Sequence, residues 1–256
     1  MGEHHKLLLA INAVAISVFG VVAGVDVSSF VGLEHAVRVG TSRILITSER
    51  IVFPSRLSID AAYTELFIES TTPVPAILDG GGRTQLFSIH NNSKLSLRSL
   101  EIAFGGCEEC FGGAIFVGPG SELRLSSVSL SSNRAKDAGA IFGVSSTIIA
   151  FDCTMTNNSA SRFGGAVVTR SISIFTATNC SFTANSAAFG GAVYAEFEAT
   201  VNATDCTMSS NSAHAGGAVY VLDGAAVALL GCTMSSNSAS SSDIGWGGAV
   251  YAHGNS

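Results

Sequence analysis

The sequence predicts an all-β fold, a right-handed parallel β-helix in which each coil is about 26 residues long. Three observations support this prediction: a glycine-rich motif recurs at a fixed spacing, a second motif keeps the same phase, and short alternating apolar runs fill the repeats. No repeat contains a ten-residue amphipathic stripe, which excludes a helical solenoid. Because one coil cannot bury its own apolar side, the stack of coils is the stable unit.

The first motif consists of two small residues followed by Ala and then Ile or Val. It starts at positions 112, 138, 164, 190, 216 and 247, so that every step is 26 residues except the last, which is 31. Ala138 replaces the first glycine once. Glycine pairs permit a tight corner with backbone close to backbone, so we expect a corner of the coil at each motif.

The second motif is an apolar residue followed three positions later by asparagine. Stacked coils place equivalent residues above one another, so these asparagines are predicted to form an amide ladder and to adopt positive φ at a turn. The predicted ladder contains Asn133, Asn158, Asn185, Asn211 and Asn237.

The first residues have the pattern of a secretory signal. Residues 1–24 are predicted as a signal peptide, because Lys6 precedes an apolar run over residues 7–23 that ends in small residues. An uncleaved signal anchor is the alternative, since a run of 17 residues is just long enough to span a membrane. Residues 25–40 are predicted as an N-terminal cap with a short amphipathic helix that starts at Ser29. Residues 41–256 are assigned to the β-helix. Because the sequence ends partway through a repeat, truncation is expected, and a next coil supplied by a partner is the alternative.

Composition excludes two classes of protein. Only 12% of the 256 residues are charged, the formal net charge is −6 and 28 residues are glycine. The 13 Lys and Arg residues are scattered, so no basic face for nucleic acid is present. The apolar content argues against intrinsic disorder. Four Asn-x-Ser/Thr sequons agree with secretion and mark predicted N-glycosylation sites at Asn91, Asn157, Asn179 and Asn202.

The six cysteines fall into two sets. Cys107 and Cys110 are predicted to form a local disulfide, as an oxidising compartment favours. The remaining four share one repeat position and alternate with Met or Phe, which predicts a buried structural ladder of Cys153, Cys180, Cys206 and Cys232. Convergent His or carboxylate ligands are missing from the pattern, so no metal ion or other cofactor is expected.

An aromatic column is the predicted binding surface. It follows the glycine motif and contains Phe116, Phe142, Tyr194, Tyr220 and Tyr251, with Val168 in the place of one ring. The residues of opposite parity are uniformly apolar or small, so strand alternation places the aromatic stripe on the outside. An exposed stripe can stack on sugar rings or pack against a partner. Packing beneath a neighbouring loop and simple stacking between coils are the alternatives.

No catalytic pair is predicted. A β-helix glycosidase or lyase needs convergent carboxylates, whereas the columns align Glu196 only with Arg170, as an exposed ion pair. Outside the cysteine column, a Thr/Ser array offers a remote prediction of ice binding, because regular hydroxyls order water. The array consists of Thr154, Thr156, Ser181, Thr183, Thr207, Ser209, Thr233 and Ser235.

The repeats GGA[IV] and [FM]xxN over residues 100–251 resemble those of chlamydial polymorphic outer-membrane proteins within the pectin-lyase-like β-helix superfamily. Phe182 alone keeps the phenylalanine of the second motif. The resemblance implies a secreted or cell-surface protein that acts in adhesion, recognition or structure, with glycans or proteins as partners. Membrane attachment would need a missing C-terminal segment or the uncleaved anchor. A pectin-lyase-like lyase or hydrolase is the alternative function.

Overall fold

The computed structural model describes residues 24–60, 65–240 and 247–254. Over these residues the chain winds into a parallel β-helix, which confirms the predicted fold. Each coil contributes short strands to three parallel sheets, and the register joins residues one repeat apart: Ile141 lies between Ile115 and Val167. The backbone hydrogen bonds between paired strands join neighbouring coils and satisfy N–H and C=O groups that a single coil would leave unpaired.

The chain passes through sheet 1, sheet 2 and sheet 3 in that order within each coil. Sheet 1 has nine strands: Val25–Val27, Arg43–Ile46, Glu65–Ser70, Lys94–Arg98, Glu122–Ser126, Thr147–Phe151, Ile174–Thr178, Thr200–Thr204 and Ala226–Leu230. Sheet 2 has eight strands: Arg50–Val52, Ala76–Asp79, Leu100–Ala103, Ser129–Ser131, Thr154–Thr156, Ser181–Thr183, Thr207–Ser209 and Thr233–Ser235. Sheet 3 has eight strands: Leu57–Ile59, Phe87–Ile89, Ile115–Val117, Ile141–Val144, Val167–Arg170, Val193–Glu196, Val219–Val221 and Val250–Ala252. Two short pairs lie between sheets 2 and 3: Arg134–Asp137 with Ser159–Phe163, and Ser212–Ala213 with Ser238–Ala239.

The core fills the interior of the coils because alternate residues of each strand point inward. In Glu122–Ser126, for example, Leu123 and Leu125 are buried while Arg124 is exposed. The resulting cluster runs through all three sheets as one continuous core. Outward positions are thereby left to carry any binding surface.

One helix packs at the N-terminal end of the stack. It spans Phe30–Arg38, and the Ser29 hydroxyl accepts a hydrogen bond from the Gly32 amide at 3.2 Å, which confirms the predicted N-cap. Phe30 lies against Phe53 with ring centroids 5.0 Å apart, so the helix covers part of the first coils. The cap also contains a strand that alternation did not predict, Val25–Val27, which begins sheet 1.

The asparagine ladder forms as predicted. Each side-chain amide donates to the carboxamide oxygen of the next asparagine at 2.9–3.0 Å, and Asn133, Asn158, Asn185 and Asn211 are fully or almost fully buried. The predicted positive φ at the asparagines is wrong. That conformation belongs to the residue just before each one, such as Ala184 before Asn185. The ladder amides can therefore turn inward, whereas the preceding exposed residues make the bend.

The two glycines of the repeated pair serve different purposes. The first has positive φ, and Ala138 keeps φ at 58° in the one coil that lacks this glycine. The second position meets the backbone of the next coil in the middle of the stack: a Cβ on Gly139 would lie 2.2 Å from the Gly165 carbonyl oxygen. The first position accepts alanine in one coil, whereas a side chain at Gly139 would clash with this backbone.

Candidate functional site

The aromatic column stacks from coil to coil on the outer face of sheet 3. Phe116 and Phe142 lie nearly parallel with centroids 5.9 Å apart, and Tyr194 and Tyr220 do the same at 5.5 Å. Tyr220 stacks in turn on Tyr251 at 4.8 Å. The column therefore points away from the main core, as strand parity predicts, and forms a second small cluster.

The predicted exposure of this column is wrong for its central rings. Phe142, Tyr194 and Tyr220 are only 5%, 2% and 7% exposed. Aromatic rings that directly precede three of the glycine pairs pack on the column: between ring centroids, Phe111 lies 5.0 Å from Phe142, Phe163 lies 4.6 Å from Tyr194 and Phe189 lies 5.3 Å from Tyr220. Phe116 and Tyr251, at the ends, remain partly exposed. The stripe is a secondary core and not an open sugar platform.

The ion pair between Arg170 and Glu196, predicted to be exposed, is mostly enclosed: Glu196 is buried and Arg170 is half-buried. Arg170 pairs with Glu196 and lies 3.6 Å from Asp137, a carboxylate with no exposed surface. Arg162 binds the same Asp137 carboxylate at 2.6 Å from the solvent side. The Arg170 guanidinium also lies over the Phe163 ring at 5.1 Å. This cluster links the covering segments to sheet 3.

Two pKa shifts report the enclosure of this cluster. Burial raises the pKa of the Tyr194 hydroxyl, and the hydrogen bond that it donates to Glu196 at 2.7 Å acts in the same direction. The hydrogen bond to Asp137 raises the pKa of Arg162. Tyr194 therefore keeps the proton that it donates to Glu196, and Arg162 keeps the charge that pairs with Asp137. The cluster acts as a structural lock at neutral pH.

The cysteines form the two predicted sets, but Cys232 is not buried as predicted. Cys107 and Cys110 form a disulfide with Cα atoms 5.5 Å apart. The other four thiols are free, and Cys153, Cys180 and Cys206 are buried whereas Cys232 is partly exposed. Contact with the neighbouring Cys153 thiol raises the pKa of Cys180 to about 11, with burial in the same direction. The contact with Cys180 raises the pKa of Cys206 and lowers that of Cys153, and burial raises the pKa of Cys232.

The sequon asparagines lie on the surface to different extents. Asn91, Asn157 and Asn179 are exposed and have positive φ, while Asn202 is half-buried in a strand of sheet 1. Glycosylation at these positions stays a prediction, and the Asn179 side chain donates a hydrogen bond to Asp152.

The Thr/Ser array covers the outer face of sheet 2. The register extends it by one coil, because Ser129 and Ser131 align with Thr154 and Thr156. Within it, Ser181 lies 3.1 Å from the Thr183 hydroxyl. Every outward position in five successive strands is therefore a hydroxyl residue: Ser129, Ser131, Thr154, Thr156, Ser181, Thr183, Thr207, Ser209, Thr233 and Ser235.

A groove of about 740 Å³ lies on the outer face of sheet 1, in the N-terminal coils. Phe67 and Ser96 are direct neighbours on adjacent strands, and Ser96 aligns in turn with Arg124. Because Ser96 is small, it leaves a depression between the Phe67 ring, which is 43% exposed, and the Arg124 guanidinium. Arg98 and Ser126 form one side of this depression.

Charged groups rim the groove in an ordered pattern. Arg124 holds Glu65 at 3.0 Å and Glu122 at 2.6 Å, and Ser96 donates to Glu65 at 2.9 Å. Within the part of the chain that the structure describes, the exposed Arg98 guanidinium forms no ion pair. The rim therefore offers fixed carboxylate acceptors beside one cation that is available to a ligand.

Sequence reasoning missed this groove because the repeat motifs are weak before residue 105. The signal was nevertheless present, since the runs ELFIE, KLSLR and ELRLS alternate charged and apolar residues. Only the register shows that the outward side chains of these three runs stand side by side.

A family model for the right-handed β-helix region matches residues 84–256. The chain belongs to this right-handed β-helix family. No curated protein and no solved structure gives a significant match. Among the described residues, no helix is long and apolar enough to span a membrane.

The family membership fixes the fold but not an activity. Over the described residues, no three His, Cys, Asp or Glu side chains converge as a metal site would require. Glu65 and Glu122, two carboxylates at the groove, are both held by Arg124. Carboxylates tied in this way are acceptors of fixed orientation, which suits the binding of sugar hydroxyls.

Proposed function

We propose that this β-helix protein is a secreted or cell-surface recognition module that binds a glycan in the sheet 1 groove and does not cleave it. The groove of Phe67, Ser96, Arg98 and Arg124 carries the proposal. An exposed aromatic ring offers a stacking surface for a sugar, and the rim presents both acceptors and donors for hydroxyl groups.

The repeat resemblance and the N-terminal apolar run support surface display or secretion. Polymorphic outer-membrane-protein repeats are found in surface adhesins, which agrees with a recognition role. Residues 1–23 lie outside the described part of the chain, so the signal peptide stays a prediction. N-terminal sequencing of the protein recovered from culture medium tests it: a chain that begins near residue 25 supports cleavage, and a retained Met1 contradicts it.

A glycan array followed by calorimetry tests the proposed site. Phe67→Ala and Arg98→Ala are each expected to weaken binding by about tenfold, or 1.4 kcal/mol. Phe151→Ala and Arg83→Ala are matched controls, because Phe151 is 49% exposed on the same sheet outside the groove and Arg83 is exposed elsewhere. Equal losses in variants and controls would contradict the site. New reducing ends or unsaturated products from the bound polymer would contradict a purely binding function.

Ice binding is a second candidate, favoured by the unbroken hydroxyl array on sheet 2. Its columns repeat at about 4.8 Å along the stack, a regular spacing of the kind that a crystalline water lattice requires. Thermal hysteresis and ice recrystallisation provide the test. Activity lost in Thr154→Lys and Thr207→Lys would support the candidate, and its absence from concentrated wild-type protein would exclude it.

A further inference from the structure

Four equivalent bends between sheet 3 and sheet 1 each contain two successive residues with positive φ. They are Asn91–Asn92, Ser171–Ile172, Phe197–Glu198 and Asp223–Gly224. Glycine, asparagine and aspartate adopt this conformation at the least cost, which agrees with the first and the last bend. The two middle bends break this rule, since a β-branched or bulky side chain is strained at positive φ. Such exceptions are expected where a residue serves a function other than stability.

The two exceptions also expose large apolar side chains. Ile172 is 64% exposed and Phe197 is 51% exposed. They lie on neighbouring coils, because the Ile172 amide donates to the Phe197 carbonyl oxygen at 2.9 Å. The strand of sheet 1 that follows Ile172 begins with Ile174, which is 44% exposed. These three residues form an apolar corner, and further coils lie on both sides of it, so its exposure does not depend on an end of the stack.

Two carboxylates border the apolar corner on one side. Glu198 follows Phe197 directly, and its amide donates to the carbonyl oxygen of Asp223 in the next coil at 3.2 Å. Both acidic residues are exposed, and neither forms an ion pair with any residue that the structure describes. The Arg170 guanidinium, on the strand just before the corner, is already paired with Glu196. The corner is therefore an apolar surface with an acidic border.

The combination of apolar and acidic groups selects the kind of partner. A second copy, related by a two-fold axis through the corner, would bring the same carboxylates face to face, and anionic lipid headgroups would meet them with like charge. Two of the three apolar side chains are branched and aliphatic, which suits packing against other apolar side chains better than stacking on a sugar ring. A polypeptide segment that carries Lys or Arg beside its apolar residues complements both features.

We propose that the apolar corner and its acidic border form a docking surface for a basic, apolar segment of a partner protein. Apolar side chains of the partner cover Ile172, Ile174 and Phe197, and its Lys or Arg side chains pair with Glu198 and Asp223. The small area of the corner indicates a weak and transient interaction. The surface is separate from the sheet 1 groove, and the proposal does not depend on glycan binding.

Selection of a displayed library of random peptides on the full chain tests the proposal, with the double variant Ile172→Asn/Phe197→Asn used to remove peptides that bind elsewhere. We expect the enriched peptides to combine Lys or Arg with large apolar residues. Fluorescence anisotropy with one enriched peptide, made synthetically, should show a loss of affinity of about tenfold in each single variant. Glu198→Gln should weaken binding by about threefold. Phe104→Asn is the matched control, because Phe104 is also exposed with positive φ but lies at the bend that follows sheet 2, and it should leave the affinity unchanged.

Thermal melts separate docking from a structural role. Asparagine relieves the strain of positive φ, so Ile172→Asn, Phe197→Asn and the control Phe104→Asn should each raise the melting temperature by about 2–4 °C. A lower melting temperature in the first two variants would show that these side chains stabilise the stack, and would overturn the proposal. The absence of enriched peptides, the enrichment of acidic ones, or binding that both variants retain would also overturn it. Sedimentation of the protein alone and with phosphatidylserine vesicles tests the other occupants: a dimer or vesicle binding that Phe197→Asn abolishes would assign the corner to a second copy or to a membrane instead.

Discussion

Asn185 offers the sharpest test of how the coils hold together. Its side chain makes four hydrogen bonds: it donates to the Met155 carbonyl at 2.8 Å and to Asn211 at 3.0 Å, and it accepts from the amide and the side chain of Asn158, both at 3.0 Å. A net value of about 1 kcal/mol per bond gives a loss of about 4 kcal/mol for Asn185→Ala. That loss is a large part of the stability of an ordinary domain.

Urea denaturation followed by circular dichroism measures this loss. Asn237→Ala is the matched control, because Asn237 makes the same type of contacts in a half-exposed coil where water can replace them. We expect about 1 kcal/mol there. Asn185→Asp should be at least as damaging as Asn185→Ala at neutral pH, since a carboxylate cannot donate to Met155, and should recover as acid protonates it. A cost below 1 kcal/mol for Asn185→Ala would refute the role of the ladder.

Three further predictions concern the buried lock, the glycine pair and the thiols. Arg170→Met leaves Glu196 buried without its cation and should lower the free energy of unfolding by about 3–5 kcal/mol in urea titration. Arg162→Met, at a half-exposed position, should lower it by about 1 kcal/mol. Equal losses in the two variants would contradict the lock. Gly139→Ala should lower the free energy of unfolding by about 3 kcal/mol, because its Cβ would meet the Gly165 carbonyl oxygen. Ala138→Gly should change it by less than about 1 kcal/mol. Thermal melts of both variants distinguish the two positions, and a Gly139→Ala variant as stable as the wild type would refute the clash. The pKa of Cys180 is raised to about 11 from the usual 9.0, so the thiol of the unfolded chain loses its proton at a lower pH than that of the folded chain. The stability that the protonated thiol contributes is therefore complete below pH 9 and is lost as the pH rises toward 11. Cys180→Ala should reduce this fall of the denaturation midpoint with pH, and an unchanged slope would contradict the shift.

The sequence by itself determined the repeat, and through it the fold. Because the two motifs recur with the same period, they show which residues occupy the same position in successive coils. In a stack of coils, such residues lie next to one another. The amide ladder and the cysteine column were therefore predictable from spacing alone, because each depends on which residues align. The N-cap at Ser29 was predictable from the local helix pattern that follows it.

Tertiary structure decided what is exposed. Alternation places Tyr194 on the outside of its strand, but it cannot show that Phe163 from the preceding segment folds over it. The same cover encloses Arg170 and Glu196, so a pair that spacing makes a surface contact becomes a buried lock. Conversely, the groove around Phe67 and Arg98 arises where none of the described segments covers the sheet. Burial depends on the path of the connecting segments, which repeat spacing does not encode.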